Sequence, residues 1–533
     1  MAIVGTVSAL RAPWPKEACW LLRPLSSGRC PRYLHSETYT RTQPDKSPAS
    51  SPKPLPTPAA QRSATSLFKP SVPSLSSDAS SVPLDSGFGP NPPLSLLPFS
   101  TLIRTLCITS VSSSPIFLTP AIKILSLIAD SKSNFLNPDR NPVLNHILRK
   151  TIYAQFCAGE TTLEVEQCVQ TLKDRGLAGV ILGFAKEGRM NETETKAVTS
   201  KVSTTEEAEE LIMSQEVNSW KKGNLDTIDL AGEGSFVAVK FTGAGEQAIK
   251  HLLRGIPPSP ELYEAMVEVC ERAKARNVRL LIDAEQQAFQ PTIDSWAMDL
   301  QRMYNGLSDG MNNERALVYN TYQTYLRSTP ENLSKHMSIA HAEGFVLGVK
   351  LVRGAYLRSD ARTLFWSHKE ETDDVYDALA ESLIKREYNH LLKPAQSSKD
   401  PSAAGKAQHL FPELDLILAS HNRRSVQKSQ DIRNQQTRDG QTQIGLSYGQ
   451  IYGMADDITC ELIQLGRIAR PGEEVDTSML VKPSVYKSLI WGSVGECMKY
   501  LVRRGEENKD AASRTSDTKM AMVKEIKRRV FRE

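Results

Sequence analysis

The 533-residue chain is poor in several features that would each commit it to a chemistry. Its eight cysteines stand at 19, 30, 107, 157, 168, 270, 460 and 497, with no Cys-x-x-Cys pair and no metal-ligand spacing. A zinc module is therefore excluded, no metal site is expected, and thiols scattered over so long a chain argue against a disulfide framework. There is no Gly-x-Gly-x-x-Gly run, so the usual dinucleotide-binding fingerprint is missing. The excess of one charge is slight. Against 65 Lys and Arg stand 61 Asp and Glu, and a net +4 gives no argument for nucleic acid. A long uninterrupted apolar run is also missing. The most apolar stretch, 94–129, is broken by Arg104, Pro115, Pro120 and Lys123, whereas a bilayer span needs about 20 predominantly apolar residues.

What is present begins with a composition of 40% hydrophobic and 24% charged residues, that of a globular protein with one large domain or two to three ordinary ones. Residues 1–36 carry Arg11, Lys16, Arg23, Arg29 and Arg32 against the single acid Glu17, with serines and apolar residues between. This arginine-rich, acid-poor pattern predicts a mitochondrial transit peptide. Residues 37–93 are dominated by Ser, Pro and Thr and cannot bury a core, so disorder is expected. Residues 94–137 are read as a helical arm on the folded domain, in preference to a segment that touches a membrane surface.

From residue 138 short apolar or β-branched runs alternate with helical patterns. The predicted strands are 178–184, 236–242, 279–284, 316–322, 345–353, 414–420, 444–452 and 486–493. Strands that are apolar throughout and separated by helices imply a parallel sheet covered on both faces. Eight such units predict an α/β fold of the (β/α)8, TIM-like barrel type over 138–510, with a doubly wound open sheet as the alternative. Residues 192–234 read as a helical insertion with its helix at 204–222, 394–408 as a polar loop, and 511–533 as a C-terminal helix and tail.

In a barrel the chemistry lies at the C-terminal ends of the strands. Lys240, Asp283, Gln323, Lys350, Arg353-Gly354-Ala355-Tyr356 and Ser420-His421-Asn422 end successive runs. Each alone has a plain explanation, such as a solvated lysine, a helix cap or a turn glycine; together they converge on one mouth. After the eighth run comes Tyr500-Leu501-Val502-Arg503-Arg504, predicted as a helix. An isolated Arg-Arg pair is usually a solvated helix end, but two adjacent guanidinium forks also suit a carboxylate shared between them. Glu507, four residues after Arg503, stands on the same face.

These motifs, Leu281-Ile282-Asp283-Ala284-Glu285, Tyr322-Gln323, Lys350 to Tyr356, Ser420-His421-Asn422 and Tyr500 to Asn508, resemble those of the fungal mitochondrial type of proline dehydrogenase (proline oxidase), in that family's order. The resemblance spans roughly 138–510 and implies a distorted barrel holding FAD. It implies oxidation of L-proline to Δ1-pyrroline-5-carboxylate, with electrons passed to a membrane quinone. The expected location is the mitochondrial matrix side, peripheral to the inner membrane. By the same resemblance Arg503 and Arg504 clamp the substrate carboxylate, with Glu507 fixing the first, and Tyr356 and Tyr500 line the substrate pocket. Asp283, Lys240 and Lys350 form the catalytic set, with Lys240 also closing on the substrate. Ala284, Gln323, Lys350, Arg353, Gly354, Ala355, Ser420 and His421 bind FAD. The residue chemistry agrees: hydride leaves the ring carbon next to nitrogen, so the substrate must be anchored by its carboxylate and presented at close range. Asp283 and Lys240 are expected to pair.

One position departs from the family pattern. Counted back from Tyr500, the usual active-site tyrosine of the eighth strand falls at Ser488. A serine there leaves room for a 4-hydroxyl and predicts acceptance of 4-hydroxyproline, unless Tyr486 fills the space through a register shifted by two. The competing readings are a methylenetetrahydrofolate-type flavin barrel and a catalytically silent scaffold.

Overall fold

The computed structural model describes residues 92–131, 133–185, 206–306, 316–394, 411–465, 481–507 and 512–531, all within the compact unit Leu84–Glu533. The presequence and Ser/Pro-rich segment expected at 1–93 lie outside the described residues except for Pro92 and Pro93. The polar loop at 394–408 does likewise, except for Pro394.

Eight parallel strands close into a barrel in chain order: β1 (Gly179–Phe184), β2 (Phe236–Val239), β3 (Arg279–Ile282), β4 (Val318–Gln323), β5 (Leu347–Val352), β6 (Leu414–Ala419), β7 (Gly445–Ile451) and β8 (Ser484–Trp491). All eight predicted runs are strands, with ends within three residues of expectation. The open-sheet alternative is excluded because β1 pairs along its whole length with β8. All four residues of β3 and all six of β4 are buried, which is why these strands show no polar alternation.

Ile181, Phe236, Leu281, Tyr319, Ile417 and Tyr486 pack together inside the N-terminal half of the barrel. The outward rows, such as Val180, Val237, Leu280 and Leu416, form the larger core with the surrounding helices. Laterally paired residues share a face, so the inner rows can be followed upward. Leu281 pairs with Tyr319, Thr321 with Lys350, and Lys350 with Ile417. Ile181 and Ile451 both pair with Ser488. Lys350 and Ser488 thus face inward, one layer above that core, and Asp283 and Lys240 continue the inner rows of β3 and β2.

The 192–234 stretch is corrected in part. Its helix runs Glu206–Ala231 and packs on β1 and β2, with Val217, Ile228 and Ala231 buried in the main core. It is the barrel's own β1-to-β2 crossover; its polar composition hid a sparse but real apolar face. Ahead of the barrel, helices Phe99–Ser112 and Pro115–Asp130 meet at a bend of 102°. The first lies along the C-terminal helix Ala512–Phe531, where Leu102 and Met522 bury together. The second lies on helix Val494–Glu507, where Ile122 faces Gly505 closely enough that a Cβ there would stand 3.4 Å from its Cδ1. Among the described residues no single helix is long and apolar enough to cross a membrane.

Candidate active site

Strands β2 and β3 end at Val239 and Ile282, one position before Lys240 and Asp283. The Asp283 amide donates to Val239 O at 2.9 Å, so the two strand ends remain tied as they reach the rim. From β5, Lys350 Nζ donates to Asp283 Oδ1 at 2.6 Å. The pair is largely shielded, with side-chain exposures of 13% and 22%. Lys350 was not expected as a partner of Asp283; β5 presents it inward at the same height.

Glu285, two residues beyond Asp283, was assigned no role from sequence, yet it knits three strand ends together. Its carboxylate accepts from Thr242 N at 3.2 Å and makes a short bond with Thr242 Oγ1. Its carbonyl accepts from Gln323 Nε2 at 3.3 Å, and its amide donates to Gln290 Oε1 at 2.8 Å. Burial raises the Glu285 carboxyl, opposed by Lys240 and by the two bonds from Thr242. The only sequence signal was its position, directly after Asp283-Ala284, with Thr242 two residues after Lys240.

Tyr356 shows how the mouth converges. Burial pushes its phenol up to about 12, and the charges that reach it are Lys240, Glu285, Arg504 and Asp283. These come from the ends of β2 and β3 and from the helix after β8, so the charges of all three act on one phenol. On that helix the Arg504 guanidinium lies 5.3 Å from the Tyr500 ring centroid, a cation–π contact that sets its direction. Arg503 and Arg504 are both half-buried. The Glu507 side chain falls outside the described residues.

A second group lies beside the first at the ends of β4 to β6. Arg353 is fixed on three sides: Nε to Asp373 Oδ1 at 2.6 Å, Nη1 to Ser420 Oγ at 2.7 Å and Nη2 to Ser425 Oγ at 2.9 Å. Its guanidinium also lies 4.2 Å from the Tyr376 ring centroid. Burial would raise the Asp373 carboxyl, but bonds from Lys369 and Arg353 outweigh it and hold it low. Among the described residues three of the five N–H groups of Arg353 are thereby used, leaving two for an anionic ligand. Gly354 has φ +141°, and a Cβ there would fall 2.0 Å from Tyr325 Cδ1, so only glycine lets the backbone pass that ring. Gln323 Oε1 accepts from Ala355 N at 3.3 Å. His421 Nε2 accepts from Ile451 N at 3.0 Å, which leaves the ring proton on Nδ1. Ala284 is buried. The directed cation, the backbone passage without a side chain and the Ser420-His421 pair suit the phosphates and ring system of a flavin dinucleotide.

On β8 the register question is answered. Tyr486 lies in the lower layer, its ring 4.9 Å from Phe236 and its hydroxyl accepting from Arg279 Nη2 at 2.8 Å. It does not reach the mouth. Ser488 stands above it, half-buried, while its neighbours Lys487 and Leu489 are buried on the outer side.

A family model described as proline dehydrogenase matches residues 165–517. A Schizosaccharomyces pombe protein described as "Probable proline dehydrogenase, mitochondrial" is 30% identical over 73% of this chain and 81% of its own length. The hydroxyproline dehydrogenase of Bos taurus is 27% identical over 72% of this chain and 82% of its own length. Among solved structures, proline utilization A from Bdellovibrio bacteriovorus superposes with a TM-score of 0.50 at 15% identity. It covers 76% of this chain, which spans only 38% of that longer one, and the likeness concerns the fold.

Proposed function

The chain belongs to the proline dehydrogenase family, and from that premise we propose that it oxidises L-proline to Δ1-pyrroline-5-carboxylate with bound FAD in proline catabolism. Electrons pass on to a membrane quinone, on the matrix side of the mitochondrial inner membrane. One observation carries the reading. Lys240, Asp283, Lys350, Tyr356 and Arg504, each on a different segment, stand together at the C-terminal mouth of the barrel.

Proline is a zwitterion with one strong anchor, its carboxylate. Arg503 and Arg504 take that carboxylate in the angle between their forks, and Glu507 steadies Arg503. With the carboxylate held, the ring lies against Tyr356 and Tyr500. The amine must be neutral before hydride can leave the adjacent carbon, and Asp283 is the carboxylate placed to receive its proton. Lys240 closes the charge balance on that side. Lys350 and Arg353, with Ala284, Gln323, Gly354, Ala355, Ser420 and His421, would hold the FAD, which when bound would supply the hydride acceptor. The Lys350 ammonium would favour negative charge on such a group. A Tyr356 phenol held near 12 stays neutral throughout the working range.

A second substrate follows from Ser488. With Tyr486 committed to the lower layer, the next inward residue of β8 is the small Ser488, followed on the same face by Ile490, and no aromatic ring stands there. The site therefore accepts trans-4-hydroxy-L-proline as well. The test is anaerobic: flavin-loaded protein is mixed separately with L-proline and with trans-4-hydroxy-L-proline. Bleaching by both supports the reading, and bleaching by proline alone removes the second substrate. Bleaching by neither would refute the activity, and bleaching by NADH alone would point to the reductase alternative.

A further inference from the structure

Eleven of the twenty large hydrophobic residues that stand exposed in the described structure fall within Phe99 to Ile147. They gather on the outward side of the two arm helices and the turn that follows, with Ile116 (79% exposed), Phe117, Ile124, Leu127, Phe135 and Val143 foremost. Ile116, the most exposed of them, and Phe117 sit directly after the 102° bend and form a projecting corner. The inward side of the same helix is spent on the enzyme, with Ile122 and Ala129 buried against the segment that carries the arginine pair.

The charge around this corner is predominantly positive. Between residues 92 and 131 the only acid is Asp130. The C-terminal helix, packed along Phe99–Ser112, carries Arg514, Lys519, Lys524, Lys527, Arg528 and Arg529. Against them stand Asp517 and Glu525, and Glu525 is already paired with Arg528 and Arg529. Lys524 and Lys527 are exposed, and Val530 and Phe531 add apolar surface at the end of that helix.

We propose that the corner formed by Phe99–Ser112 and Pro115–Asp130, with the basic C-terminal helix beside it, is the surface by which the enzyme lies on an anionic lipid bilayer. A projecting apolar corner fits a lipid surface, into which it inserts, better than a flat isologous patch between copies. Bent at 102°, with one side packed on the enzyme, the arm rests in the headgroup and acyl boundary while the basic helix meets lipid phosphates. The site is thereby one helix away from the membrane, because the arm's second helix backs directly onto the helix of Arg503 and Arg504. This names the membrane-facing side that the proposed quinone reaction requires, and it rests on that reading for its purpose but not for its test.

The test is co-flotation of the full-length, flavin-loaded chain with mixed phosphatidylcholine–phosphatidylglycerol vesicles and with pure phosphatidylcholine vesicles. Preferential binding to the mixed vesicles is expected. The variant I116S/F117S/L127S should partition on the order of a hundredfold more weakly, three large apolar side chains being lost from the inserted face. Its rate with proline and a soluble dye acceptor should not change, which shows that it is folded. K524E/K527E should weaken binding to the mixed vesicles only. Failure of the wild-type chain to bind mixed vesicles would overturn the proposal, as would a wild-type dimer that the triple variant dissolves. Loss of proline turnover with vesicle binding intact would instead count against the proposed activity.

Discussion

Replacing Ser488 by tyrosine gives the sharpest test of specificity. The residue faces inward between Ile181 and Ile451. Below it Tyr486 and Phe236 already fill the barrel, so a phenol ring at 488 must turn upward into the mouth. There it occupies the space a 4-hydroxyl would enter and replaces a polar lining by an aromatic face. An apolar pocket distinguishes an added hydroxyl by about 100-fold at most. The ratio of kcat/KM for trans-4-hydroxy-L-proline to that for L-proline should therefore fall by roughly 10- to 100-fold, which at 1.36 kcal/mol per factor of ten is about 1.4 to 2.7 kcal/mol. Steady-state rates with both substrates and a dye acceptor measure it. Tyr486→Phe is the control: it leaves buried Arg279 without its phenol partner and costs about 1–3 kcal/mol of stability, but should leave the ratio alone. An unchanged ratio in Ser488→Tyr, at wild-type flavin content and melting temperature, would refute the reasoning.

Three other perturbations have defined outcomes. Gly354→Ala drives a methyl into the buried Tyr325 ring at a positive φ, so a loss of roughly 2–4 kcal/mol is expected, seen as a lower melting temperature and weaker flavin retention. Trimming the ring in the double variant Gly354→Ala/Tyr325→Ser should return part of the stability. His336 is pushed down to about 4, first by burial and then by Lys335 and Arg302. Below about 6.5 the unfolded chain binds a proton that the fold refuses, so stability falls as pH drops from about 6.5 to 4, by up to about 3 kcal/mol. Denaturant midpoints across that window should show a slope that His336→Asn flattens. Lys350→Met removes the cation of the Asp283 pair and should lower the rate constant of flavin reduction by proline by about 100-fold or more in stopped flow, with the bound flavin retained.

Much of this was legible in the sequence because barrel strands buried on both faces write themselves as unbroken apolar runs. The polar residues that end those runs mark the rim for the same reason. What the chain does not write is lateral pairing. Lys240 was the partner expected for Asp283, and the contact with Lys350, 67 residues away, follows only from the register of β3, β4 and β5. The choice between Tyr486 and Ser488 is likewise a question of register, fixed by Ile181 on a strand some three hundred residues earlier. Glu285 was passed over because its partner Thr242 lies 43 residues back, in a turn with no pattern of its own. The Glu206–Ala231 helix was misjudged because its apolar face is narrow and interrupted.

The β1–β8 seam bears on how the protein is made. On a ribosome adding about 5–20 residues each second, the outer edge of β1 waits about 15 to 60 seconds for the residues of β8 that complete it. The arm's first helix waits longer, since its partner is the last helix of the chain. For that interval the nascent polypeptide presents an unpaired apolar strand and an uncovered helix face, both invitations to misassociation. Shielding of the first half until the second arrives would limit that misassociation, and a polypeptide that cannot close early is also one that can still be threaded through a translocation pore.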